Sequence, residues 1–116
     1  MSGHRIFLAS MATIYPLYVA KAERKGRLQA DVDKILCWLT GHDLAGLQAA
    51  IMAGQDMQTF FALAPQLNLA RLEVTGVVCG VRIEALDDPL MREIRILDKL
   101  VDELAKGRPM QRILRA

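Results

Sequence analysis

Apolar and polar positions repeat with helical period most clearly between Asp87 and Gly107, in the run DDPLMREIRILDKLVDELAKG. Leu90, Ile94, Leu97, Val101 and Leu104 recur at three- and four-residue steps, with Ile96 and Leu100 widening the stripe on one flank. That spacing predicts a long helix with a broad apolar face. Arg92, Arg95, Asp98, Lys99, Asp102 and Lys106 fall on the opposite side. Both ends are marked. Asp88 has an oxygen for the free N–H groups of a first turn, and Pro89 has no N–H to leave unsatisfied. Gly107 suits the left-handed residue that closes a helix, and Pro109 prevents continuation while opening a short last turn. Lys99 with Glu103, and Asp102 with Lys106, are opposite charges four apart, worth about 0.2–0.5 kcal/mol per pair in an isolated helix. They read as a solvated face. On this pattern Leu97→Ala should be costly and Lys99→Ala should cost under about 0.5 kcal/mol. The apolar stripe needs a partner, which the preceding chain must supply.

Arg5 to Leu8 is short, apolar and β-prone, a strand or a segment packed on the core. Pro16 would break a helix begun at Ser10, so the first helix is expected to start near Thr13 and run to Gly26. Val32, Ile35, Leu36 and Leu39 mark a second helix between Arg27 and Gly41, with Asp31 and Asp33 near its positive end. Asp43 caps a third carrying Leu44, Leu47 and Ile51, and Asp56 a fourth carrying Met57, Phe60 and Phe61, ended by Pro65. From Leu67 to Leu86 the pattern is mixed. LNLARLEV reads as a helix capped by Asn68, whereas TGVVCGVRIEAL is β-branched and interrupted by glycines, which favours strand and turn. VRIE could pair with the N-terminal RIF in a ribbon lying on the helices. The expected fold is mainly α: a compact orthogonal bundle of about five short helices plus one long C-terminal helix, with room for a short two-stranded β ribbon.

Composition narrows this further. A chain of 116 residues, 53% hydrophobic and 24% charged, is expected to form a single domain over 1–116 that buries one core without metal or disulfide staples. A net charge of +2 is too small to argue a nucleic-acid or membrane partner by itself. Cys37 and Cys79 form no CxxC pair, and no stretch approaches the ~20 apolar residues of a membrane helix or the layout of a signal peptide. The cytoplasm is the expected compartment.

At YPLYVAKAERKGR (Tyr15 to Arg27), WLTG (Trp38 to Gly41), GVVCGVRIE (Gly76 to Glu84) and DPLMREIRILDKLVDELAKG (Asp88 to Gly107) the sequence resembles a bacterial family catalogued as domain of unknown function 2200. The likeness covers nearly the whole chain. It implies a small, mostly helical bacterial cytosolic protein and brings no activity with it. One departure is local: the family pattern tends to place Thr after KGR, a good helix cap, and Leu28 stands there in this chain, so the start of the second helix is expected to be less well defined.

The basic run Lys21, Arg24, Lys25 and Arg27, with Tyr15 and Tyr18 upstream, is the leading candidate binding surface. Lys21 and Lys25 lie one turn apart, so like charges gather on one side unless an acidic segment or an anionic ligand answers them. The plainer reading is a solvated helix end, since cations are favoured near a helix C-terminus. The functional reading is a non-enzymatic interaction module offering this basic and aromatic surface to an acidic protein or a nucleic acid, compatible with a homodimer and with no membrane. The alternative is a small-ligand binder or enzyme with a pocket near Cys79 or Trp38. Cys79 is expected to be buried and inert, since a thiolate needs a base or cation beside it. A metal site from Cys37, His42, Cys79 and His4 matches no common zinc spacing, and Trp38 is expected in the core. No cofactor, metal ligand or catalytic residue is assigned from the sequence; glycine-rich phosphate loops and Ser-His-Asp sets are missing from it.

Overall fold

Among the residues described by the structure, a computed structural model covering 5–115, there are six α-helices. They are α1 (Met11–Glu23), α2 (Gln29–Thr40), α3 (Leu44–Met52), α4 (Met57–Ala62), α5 (Pro89–Ala105) and α6 (Met110–Ile113). Between α4 and α5 lies an antiparallel hairpin of β1 (Val77–Val78) and β2 (Val81–Arg82). The fold is thus mainly helical, with one long helix, five shorter ones and a two-stranded ribbon, as the pattern predicts.

The long helix has the ends its sequence marks. Asp88 Oδ1 accepts the Met91 N–H at 3.0 Å, with Pro89 in the first turn. At the other end Gly107 turns left-handed, with φ of +89°. Its N–H donates to the Leu104 carbonyl at 3.0 Å and the Arg108 N–H to the Glu103 carbonyl at 3.1 Å, so carbonyls of the last turn are satisfied. Ile94, Ile96, Leu97, Leu100, Val101 and Leu104 are at most 1% exposed. This seam is the wall against which α1, α2, α4, α6 and β1 pack. From the far side come Val32, Ile35, Leu36 and Leu39 of α2, all fully buried, together with Met11 of α1 and Phe60 of α4. Lys99 is more than a solvated residue: its Nζ donates to the Val77 carbonyl at 3.0 Å and ties the hairpin to α5.

The aspartate caps are in place. Asp43 accepts the Gly46 N–H at 2.7 Å, Asp56 the Thr59 N–H at 2.7 Å, and Asn68 the Ala70 N–H at 2.9 Å, the last opening a 3₁₀ turn over Leu69–Glu73. Gly41 shows why its position needs glycine. Its φ is +82° and a Cβ there would lie 2.8 Å from the Gln66 backbone, where the chain returns to bond the Thr40 and Leu39 carbonyls.

Three expectations are corrected. First, α1 begins at Met11, not near Thr13, and carries Pro16 inside it. Ser10 accepts the Ala12 N–H at 3.0 Å, and Met11 and Met57 donate to the carbonyls of Gln55 and Ala9 in a bridge that locks the start of α1 to that of α4. Full burial of Met11 holds this start, while Pro16 and Ala12, whose carbonyl Pro16 leaves unbonded, lie exposed where water serves. Second, the ribbon does not use the N-terminal segment: β2 pairs with β1, Val77 facing Arg82 and Val78 facing Val81, and Arg5–Leu8 forms a 3₁₀ turn that buries Phe7. A two-residue turn, Cys79-Gly80, closes the hairpin, so local pairing costs far less loop entropy than closure across the chain. Third, α2 starts firmly despite Leu28. The Asp31 carboxylate accepts the Leu28 N–H at 3.0 Å, yet the Leu28 side chain has no oxygen for the free N–H groups of the first turn, and the residue is 64% exposed. Leu28→Thr should therefore raise stability by about 0.5–1 kcal/mol by supplying the missing cap. Urea unfolding checks this, and an unchanged or lowered midpoint would refute it.

Candidate functional site

The six residues of the basic and aromatic run divide into two groups. Tyr15 donates its hydroxyl to Asp33 Oδ1 of α2 at 2.5 Å, and Tyr18 to Asp98 Oδ1 of α5 at 2.6 Å. Asp98 also receives Arg95 Nη1 at 3.0 Å. Lys21 Nζ is 3.2 Å from Asp102 Oδ1, whose other oxygen takes Lys106 at 3.1 Å. Arg27 Nη1 donates to the carbonyls of Leu104 at 3.1 Å and Arg108 at 3.0 Å. These four side chains fasten α1 and its following turn to α2 and α5. Arg24 and Lys25, in contrast, are exposed and take no ion-pair partner among the described residues. The structure therefore brings together only part of the run as free positive charge.

The tyrosine bonds have an electrostatic consequence. Burial and the Asp33 carboxylate push the Tyr15 hydroxyl up to about 12 from its ordinary 10.0, and burial and Asp98 carry Tyr18 well above 10.0. A tyrosine with a raised folded pKa lends its stability in full below the unfolded value and loses it as pH rises through the folded one. At about pH 10.5 the folded protein should show little tyrosinate absorbance while the urea-unfolded chain is more than half ionised, and stability should fall steeply above that pH. Superimposable titrations of the two states would contradict the buried pairs. On the acid side, burial alone would raise Asp102, but hydrogen bonds from Lys106 and Lys21 outweigh it and hold the carboxyl below its usual range. That contribution is present above the ordinary carboxylate pKa and fades as pH falls through the depressed one.

A second cationic cluster stands where α5 turns into α6. Left-handed Gly107 swings the chain away from α5, and Pro109 opens α6, so Lys106, Arg108 and Arg112 are presented around one bend. Lys106, Gly107, Arg108, Pro109 and Arg112 line a groove of about 490 Å³ with no acidic side chain in its wall. Two acids of α5 adjoin it: Asp102, which pairs with Lys106 at 3.1 Å and Lys21 at 3.2 Å, and Glu103, which is spent internally. Glu103 is 4% exposed, takes Arg115 Nη1 and Nη2 at 2.6 and 3.0 Å, and has Arg108 Nη1 at 3.5 Å. The two carbonyl bonds of Arg27 hold the end of α1, with Arg24 and Lys25, beside this bend. Sharing Pro109, a second groove of about 460 Å³ is lined by Lys34, Met110, Gln111 and Leu114. The sequence signal for this surface was available: KGRPMQRILR, from Lys106 to Arg115, has four cations and no acid. It is overlooked when attention stays on the run in α1.

A smaller hollow of about 170 Å³ lies between α1, α2 and α3, lined by Tyr15, Gln29, Asp33, Leu47, Gln48, Ile51 and Met52. Neither Cys79 nor Trp38 lines any of these three hollows. Trp38 is half-buried against the core. Cys79 is exposed, not buried as expected: it occupies the hairpin turn with φ of +51°, followed by Gly80 at +75°. Two successive left-handed residues make the type I′ turn, one of the two-residue loops whose twist matches that of the strands. Cys37 is half-buried, and burial raises its thiol pKa. His42 stacks obliquely on Phe60 with ring centroids 6.0 Å apart, and His4 lies outside the described residues. Among the described residues no group of three or more His, Cys, Asp or Glu could hold a metal ion, and no helix is long and apolar enough to cross a membrane.

Comparison with known proteins agrees with this architecture. The sequence profile of a family described as uncharacterized protein conserved in bacteria (DUF2200) matches residues 5–115. The crystal structure of uncharacterized protein SP1917 is similar to this fold with a TM-score of 0.91 and 41% sequence identity, over 98% of this chain and 93% of that one. No curated protein matches the chain.

Proposed function

The chain belongs to the DUF2200 family of uncharacterized bacterial proteins, and from that premise we propose that it is a non-enzymatic binding module whose basic face receives an acidic protein or a nucleic acid. Its support is the groove at the α5–α6 bend, where three of five lining residues are cations, Arg112 takes no ion-pair partner among the described residues, and the two neighbouring carboxylates are shared with cations outside the groove, Asp102 with Lys21 and Glu103 with Arg115. Arg24 and Lys25 extend the same positive field from the end of α1. Exposed cations of this kind gain little from one another and repel, so an anionic ligand relieves a standing cost. Tyr15, Tyr18, Lys21 and Arg27 serve this face indirectly, by fixing α1 against α2 and α5. In this reading the protein works as one domain over residues 1–116 in the bacterial cytoplasm. The alternative, a small-ligand or catalytic pocket near Cys79 or Trp38, has less behind it, since neither residue lines any of the three hollows described above.

Arg24→Glu with Arg112→Glu tests the proposal without touching any ion pair within the fold. The native protein should bind poly-L-glutamate, duplex DNA or both at about 50 mM salt, and lose affinity steeply toward about 200 mM. The double variant should bind at least ~10-fold more weakly. Equal binding by the variant, or no binding of either polymer by the native protein, would overturn the proposal.

A further inference from the structure

Resting on that reading of the α5–α6 bend, we infer that its partner is a protein segment carrying an apolar side chain beside acidic residues, and not a nucleic acid. The two grooves that share Pro109 differ in chemistry. One is walled by Lys106, Arg108 and Arg112; the other by Met110 and Leu114 together with Lys34 and Gln111. A polymer of phosphates would satisfy the first and, in the second, Lys34, but would offer nothing to Met110 and Leu114. Nor does either groove contain a phenylalanine, tyrosine or tryptophan on which a base would stack, the usual source of affinity for single strands. An acidic and apolar peptide satisfies both at once. Its carboxylates face the guanidinium groups, which suit planar two-oxygen acceptors, and its aliphatic side chain covers Met110, whose unbranched thioether adapts to the shape it meets. Lys34, which lines the same groove as Met110, receives a further carboxylate.

Panning a displayed random-peptide library against the native protein, followed by fluorescence anisotropy on the best synthetic peptide, decides the matter. The expected peptides carry two or more Asp or Glu around a Leu, Ile, Met or Phe. Arg112→Glu should weaken the best peptide by about tenfold or more. Met110→Gln and Lys34→Glu should each weaken it several-fold, and Met110→Gln should leave poly-L-glutamate binding unchanged. Lys34 is exposed on α2 and has no ion pair within the fold, so its variant still reads the groove if Met110→Gln perturbs α6. Enriched peptides that are acidic without an apolar preference, indifference to both variants, or displacement of the peptide by duplex DNA at equal charge would overturn the inference. Those outcomes leave the basic groove intact as a binding face. Failure of peptides, poly-L-glutamate and DNA alike would remove that face too.

Discussion

Leu97→Ala is expected to lower the unfolding free energy by about 2–5 kcal/mol, the largest loss of any aliphatic truncation on α5. Leu97 is fully buried halfway along the helix and belongs to the apolar cluster shared with α1, α2 and α4. Removing its branched end withdraws transfer energy and leaves a void that the surrounding helices can fill only in part, because Leu36, Leu39 and Leu100 are themselves fully buried. Lys99, two residues on, provides the contrast. Its bond to the Val77 carbonyl lifts the expectation for Lys99→Ala from under 0.5 to about 0.5–1.5 kcal/mol, still well below Leu97→Ala. Urea unfolding of both variants separates the cases. Equal, small losses would mean that the seam of α5 does not support the core.

Arg115→Ala is expected to cost about 2–4 kcal/mol. The cause lies in what it leaves behind: the Glu103 carboxylate, whose side chain is 5% exposed, would keep only Arg108 at 3.5 Å. Breaking one partner out of a buried pair commonly costs ~3–5 kcal/mol; Arg108 and entering water should recover part of that. Replacing both, Glu103→Leu with Arg115→Leu, should cost less than Arg115→Ala, since no charge is then stranded. A double variant weaker than Arg115→Ala would show that the pair contributes net stability and is not merely a charge that must be answered.

What the sequence announces and what it conceals follow from the range of each interaction. Caps and stops act within four residues, so Asp43, Asp56, Asn68, Asp88 and left-handed Gly41 and Gly107 were readable from the chain alone. The seam of α5 was readable for the same reason, as a repeat over five turns. Pro16 misled because its local penalty was weighed without the long-range bridge that holds Ser10 and Met11 to the start of α4. The candidate site was hidden more deeply. Tyr18 meets Asp98 and Lys21 meets Asp102 across roughly eighty residues, and no spacing in α1 reports that the acids of α5 lie waiting for it. A run that looks like a free basic patch is therefore largely a set of fastenings, and among the described residues Arg24, Lys25 and, past Gly107, Arg112 are left without an ion pair.

Mapping amide shifts by NMR on isotope-labelled protein, titrated with poly-L-glutamate at low salt, measures most directly whether the α5–α6 bend is the binding face. Shifts should concentrate in residues 106–114 and spread to 24–27 and Lys34, fading as salt is raised. Shifts centred on Tyr15, Asp33 and Ile51, or scattered with no maximum at the bend, would contradict it.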